Sequence, residues 1–299
     1  MFDDFDAAVI PLDESRIFVR HGGAGPPVLL VHGHPRTSAT WHRVAPLLVR
    51  RGFTVVCPDL RGYGRSRGPK FTTDHTGYSK RAVAADLVAV MRELGHERFF
   101  LAGHDRGGGV AFRLALDHPG AVAKAAFLDA LPIIEHLRPI TLEFATQWWH
   151  WFFFAQPGIP ERVINADPDA WYRGDPDRMG RENYEEWHAA TRDPDVVRAM
   201  LEDYRAGLTV DVRDEWADWA AGVRVRCPAL ALWSLRDDLE QLHGDPVAIW
   251  RRWAPTSAGT ASTPGTTWPK RPRTSSPRRW PVFSVGEPGP PGAESPGER

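Results

Sequence analysis

Residues 103 to 107 read Gly-His-Asp-Arg-Gly, between the apolar run RFFLA and the helical pattern VAFRLALDHP. A strand, a Gly-x-x-x-Gly turn and a helix lift the central side chain over the C-terminal edge of a sheet and aim the next backbone N–H at a developing oxyanion. The central side chain here is Asp105. A carboxylate is a weak nucleophile and a good leaving group, so it gains nothing by attacking an ester. At saturated carbon it can displace halide or open an epoxide, leaving an alkyl-aspartyl ester for a second step to hydrolyse. Arg106 would supply one oxyanion N–H. The stretch HGHPRTSATW (32 to 41) would supply the other through His34. A purely structural carboxylate in a Gly-rich turn is the competing reading.

Such a turn needs a parallel sheet beneath it. Short apolar, β-branched runs alternate with longer helical patterns, which predicts an α/β fold with crossover helices. The predicted strands are 27 to 33, 53 to 60, 98 to 105 and 124 to 131, with helices near 41 to 51 and 79 to 94 and a third starting after Asp105. In the second helix Val83, Leu87, Val90, Met91 and Leu94 follow helical spacing. From 133 to 222 strand alternation gives way to helical spacing with many aromatics, including WWHWFFFAQP, which predicts a helical cap inserted into the core. The run CPALALWS (227 to 234) returns to the sheet, so the core divides into 1 to 132 and 223 to 255. An aromatic cap over a sheet edge suits a dry pocket for a small ligand, although such residues also serve simply to glue cap to core. Beyond Pro255 the chain is rich in Pro, Gly, Ser, Thr and Arg, a composition that predicts disorder over 256 to 299.

The formal net charge of −1 over 299 residues provides no field for nucleic acid or an anionic membrane. Cys57 and Cys227 each lie in an apolar run, which favours two buried thiols and a reducing compartment over a disulfide. The acidic start MFDDFDAAVIPLDES lacks a signal pattern and no stretch has the apolar length of a membrane span, so the expected location is the cytoplasm. A small-molecule substrate is the expected partner. A homodimer stays open.

Several stretches together, HGHPRTSATWHRVAP, DLRGYGRS, GHDRGG, LDALP, the HW of WWHWFFFAQP and EDYRAG, resemble the fluoroacetate and haloacetate dehalogenases of the α/β-hydrolase superfamily, an epoxide-hydrolase-like branch. The resemblance runs over about 15 to 255. It implies an α/β-hydrolase core with an inserted cap and hydrolytic dehalogenation of a small haloacid, with no metal or organic cofactor. Asp105 would be the nucleophile, Asp129 the acid that orients a histidine, and Asp238, with Asp237, the rival acid position. His150, Trp151 and Tyr204 would donate to the departing halide and Arg106 would hold the substrate carboxylate. Several donors at once suit a fluoride, which is costly to leave unpaired in a dry pocket.

Two departures from the family pattern qualify this. A second arginine is expected three residues after the first, and Gly109 stands there. The family's catalytic histidine follows a last strand in a Ser-Gly-His stretch, yet this chain has no His after His243. Reading the codons beyond Pro255 one base out of frame is compatible with a strand, a Ser-Gly-His opposite Gly265 to Thr267 and a closing helix, so a frameshifted tail is expected. Otherwise the ester would persist for want of a base. His32, His34, His104 and His243 are the available substitutes. An epoxide hydrolase, with Tyr204 and Tyr172 or Tyr184 protonating the opening oxygen, and a ligand-binding relic of the fold are the alternatives.

Overall fold

The computed structural model describes residues 1–262. Eight strands form one sheet: β1 (Asp6–Pro11), β2 (Arg16–Gly22), β3 (Pro27–Val31), β4 (Thr54–Pro58), β5 (Phe99–His104), β6 (Val122–Leu128), β7 (Ala229–Ser234) and β8 (Ala258–Ser262). Their spatial order is β1-β2-β4-β3-β5-β6-β7-β8. The pairs β1–β2 and β2–β4 are antiparallel and every other pair is parallel.

The central strands are largely apolar because both faces are covered. Successive side chains of β3 alternate: Leu29 and Val31 join one core layer, Val28 and Leu30 the other. The first layer is closed by α2 (Lys80–Glu93), α3 (Arg106–Asp117) and α14 (Pro246–Trp253). Within it the Phe127 and Trp250 rings stack 4.0 Å apart at 8°, a geometry that adds about 1 kcal/mol to the burial itself. Trp41 and α1 (Ala45–Arg50) cover the second layer.

Between β6 and β7 the chain is helical: α4 (Ile133–Leu137), α5 (Leu142–Gln147), α6 (Trp149–Phe154), α7 (Ile159–Ala166), α8 (Pro168–Tyr172), α9 (Pro176–Met179), α10 (Arg181–Thr191), α11 (Pro194–Ala206), a π-helical turn (Gly207–Asp211) and α12 (Val212–Ala220). This segment occupies the place predicted for the cap. Two more helices, α13 (Leu239–His243) and α14, follow β7.

Residues 258–262 depart from expectation. Composition predicts disorder from residue 256, whereas Ala258–Ser262 pair in parallel with β7, from Leu230↔Ala258 to Ser234↔Ser262. Small residues pack little surface of their own here, and the strand exists because β7 offers an open row of backbone groups. The rest of the predicted tail, 263–299, and the proposed Ser-Gly-His lie outside the described residues. Both cysteines are free thiols, Cys57 buried and Cys227 only half-buried. Among the described residues, no helix is long and apolar enough to cross a membrane.

Candidate active site

The sheet order reverses at β3, which sits between β4 and β5. At such a reversal the loops leaving the strand ends diverge and open a crevice. Register sets what lines it: Val31 pairs with Gly103 and His104 with Leu128. The loop after β3, Asp105 after β5 and Asp129 after β6 therefore emerge side by side.

Asp105 caps α3 at φ 57 and ψ −123. A non-glycine residue there stores roughly 1–3 kcal/mol of strain, which the surrounding structure must hold. It is held at several points. The Asp105 N–H donates to Leu128 O (3.0 Å), and its carbonyl accepts from Gly108 N (2.9 Å). At Gly107 a Cβ would stand 2.2 Å from His32 O and 2.6 Å from Val31 O, so only glycine lets α3 start this close to β3. The buried carboxylate meets the loop after β3 directly: His34 N–H donates to Asp105 Oδ1 at 3.0 Å.

That loop is anchored from below. His32 Nε2 accepts from Leu60 N–H (3.0 Å), so its Nδ1 carries the proton and donates to Gly33 O (2.9 Å). Both ring nitrogens are thereby used, which removes His32 as a substitute base. Asp59, in the DLRGYGRS stretch, accepts from Ser38 N–H (2.7 Å) and Arg65 N–H (2.9 Å), tying two loops together. Arg36, missed in the sequence although it lies within HGHPRTSATW, is buried near Asp105; burial pulls its guanidinium down to about 10 against the opposing pull of that carboxylate.

The two acid positions separate cleanly. Asp129, at φ 46, accepts from Ser234 N–H through Oδ1 (2.7 Å), and its Oδ2 lies 3.9 Å from His104 Nε2. Asp238 accepts from Trp148 Nε1 at 2.9 Å. His243 is turned toward His136, with Nε2 2.9 Å from His136 Nδ1, and burial pushes its imidazole down to about 4.

Of the residues predicted to take the halide, Tyr204 packs directly against His34. The His34 ring lies 5.1 Å from Tyr204, 5.5 Å from Phe154 and 5.7 Å from Tyr172. Tyr204 in turn faces His150 at 6.1 Å and Trp151 at 6.2 Å. Tyr184 packs instead against Trp187 and His188. Arg106 is buried under the same wall, its guanidinium 4.3 Å from the Tyr204 ring centre and 5.5 Å from that of Trp151. The sequence reading missed its protein partner, Asp203: Arg106 Nε donates to Asp203 Oδ2 and an Nη to Asp203 O, both at 2.6 Å. Among the described residues no cluster of three His, Cys, Asp or Glu could hold a metal ion.

The arrangement brings together a buried carboxylate, an amide donor beside it, a guanidinium and an aromatic wall carrying N–H and O–H groups. Residues 26–239 match the family model described as alpha/beta hydrolase fold. A fluoroacetate dehalogenase of Burkholderia sp. is 41% identical over 276 residues, covering 89% of this chain and 88% of that protein. A soluble epoxide hydrolase of Corynebacterium sp. (strain C12) is 30% identical over 203 residues, covering 64% of this chain and 69% of its own. Among solved structures, an epoxide hydrolase named CorEH superposes with a TM-score of 0.76 at 26% identity, covering 87% of this chain and 91% of that one. Fold, strand order and relatives agree: the chain belongs to the α/β-hydrolase family, in the branch that holds fluoroacetate dehalogenases and epoxide hydrolases.

Proposed function

We propose that the protein is a hydrolytic dehalogenase acting on a small haloacid. The observation that carries this is Asp105 on its strained turn, with Oδ1 against the His34 amide. The other Asp105 oxygen attacks the halogen-bearing carbon; a C–O bond forms, the C–X bond breaks and the halide leaves with the bonding pair. Trp151, His150 and Tyr204 donate to that halide. Water then adds to the Asp105 carbonyl carbon, and the His34 and Arg106 amides hold the oxyanion. Breaking the Cγ–O bond to the substrate releases a hydroxyacid and a proton and regenerates the carboxylate.

The second step needs a base, and no histidine follows His243 in the sequence. Ester formation is therefore expected to outrun ester hydrolysis. Asp105→Asn tests the reading: halide release from chloroacetate should be abolished, and release at the wild-type rate would overturn it.

A second reading draws on Tyr172 and Tyr204, both beside His34. Two converging phenols suit protonation of an opening epoxide oxygen. Diol formation from styrene oxide without halide release from chloroacetate would favour an epoxide hydrolase.

A further inference from the structure

Three charged side chains that meet Arg106 away from solvent, Lys80, Asp203 and Asp211, have no part in the chemistry above. Lys80 Nζ and Arg106 Nε both bond the Asp203 carboxylate, one to each oxygen. Tyr63 OH donates to Asp203 Oδ2 at 3.3 Å. Asp211, brought round by the π-helical turn, accepts the Lys80 N–H at 2.8 Å and stands 4.0 Å from Lys80 Nζ. All four charged groups are buried, and an uncompensated charge there would be expensive.

The charge count is informative. Burial works against the charge of Asp203, but Arg106 and Lys80 outweigh it and hold its carboxyl down to about 2. Burial pushes Asp211 the other way, toward its neutral form. Burial and the Arg106 charge pull Lys80 down while Asp203 and Asp211 pull it up, and its bond to Asp203 makes it the second cation on that one committed carboxylate. Space is reserved for both. A Cβ at 207 would lie 2.8 Å from an Arg106 Nη, and one at 109 would lie 3.3 Å from Lys80 Cε. The printed bonds of Arg106 to Asp203 use Nε and one Nη, while a guanidinium carries five N–H donors. Further donors are left beside the Tyr204 and Trp151 rings.

We propose that Lys80 neutralises Asp203, so that Arg106, held in place by that same carboxylate, keeps its positive charge for a substrate carboxylate. Lys80 is then a specificity-determining residue that never touches substrate, and the cluster selects haloacids over neutral halides. The proposal rests on the dehalogenase reading of the Asp105 pocket.

The test titrates tryptophan fluorescence with two unreactive probes of similar shape, acetate and acetamide, since Trp151 flanks Arg106. Wild type should bind acetate about ten-fold tighter than acetamide or better. Lys80→Met should lose that preference, Lys80→Arg should keep it, and the double variant Lys80→Met/Asp203→Asn, which frees Arg106 again, should regain it. A merely structural ion pair would weaken both probes equally and would not be repaired by the double variant. Either result, or a preference that survives Lys80→Met, overturns the proposal. If Lys80→Met does not fold, the double variant decides alone: acetate preference supports the proposal and its loss overturns it. Chloroacetate adduct mapping, run in parallel, separates the two readings. An acetate preference with no ester on Asp105 overturns the dehalogenase chemistry alone, and an ester with no acetate preference overturns the role of Lys80 alone.

Discussion

The backbone amide of His34 lies 3.0 Å from Oδ1 of Asp105, joining two turns that are 71 residues apart in the chain. The contact engages Oδ1 of the carboxylate. It also places a donor where the oxyanion of the second step would form, at no cost of reorganisation.

The contact depends on Gly33. A Cβ there would fall 2.5 Å from both Cβ and Oδ1 of Asp105 and 2.7 Å from His104 O. Gly33→Ala should therefore push the His34 amide off the carboxylate and slow ester formation from chloroacetate about 100-fold or more. The check is single-turnover halide release. An unchanged rate with a normal thermal midpoint would show that the contact has no part in the chemistry.

Tyr204 and Trp151 meet edge to face with ring centres 6.2 Å apart, and the Arg106 guanidinium lies against both rings. If their O–H and N–H groups take the departing halide, Tyr204→Phe and Trp151→Phe should each lower the limiting rate of fluoride release by about 10- to 1,000-fold. Bromide release should suffer less, because bromide needs its donors less. Equal losses for the two halides would point to packing alone.

Asp129 and Asp238 should separate by experiment as they do in space. Asp238 bonds the Trp148 indole, so Asp238→Ala should cost about 1–3 kcal/mol of stability and leave halide release within about two-fold. A collapse of halide release in a folded Asp238→Ala protein would make it the catalytic acid and displace Asp129.

Glu215 provides a pH test of the fold. It is fully buried, accepts from Ile134 N–H at 2.9 Å, and burial raises its carboxyl from 4.5 to about 7. Between those values the native state holds a proton that the unfolded chain has released. Stability contributed by this group therefore falls as pH rises through that window, by about 3 kcal/mol in total. Glu215→Gln keeps an acceptor for Ile134 and removes the titration. It should gain about 3 kcal/mol on wild type at pH 8 and almost nothing at pH 4.5, measured by denaturant unfolding. A pH-independent difference would contradict this.

Where one local pattern decided the structure, the sequence could be read. The runs in β3, β5 and β6 are largely apolar because both sheet faces are covered, and the turn around Asp105 announces itself by its glycines and flanks. The hairpin β1–β2 carries no such signal: β1 is largely exposed, and Arg16, Arg20 and His21 interrupt β2. β8 is invisible for a related reason, since AGTAS has almost no side chain to form a pattern and its strand is made by β7. At the candidate site, Asp105, His34 and Tyr204 stand out in the sequence by their motifs, and the structure places His34 against both of the others. The Lys80–Asp203 bond joins residues 123 positions apart, and nothing in either neighbourhood points to the other. Only the packing of α11 and its π-helical turn against α2 brings them together.

Mass spectrometry of the intact protein after incubation with chloroacetate, followed by peptide mapping, tests the central claim most directly. The account predicts one carboxymethyl ester on Asp105, formed with one equivalent of chloride, and neither product in Asp105→Asn. Chloride released by Asp105→Asn at the wild-type rate, or a carboxymethyl group mapped to another residue alone, would contradict it.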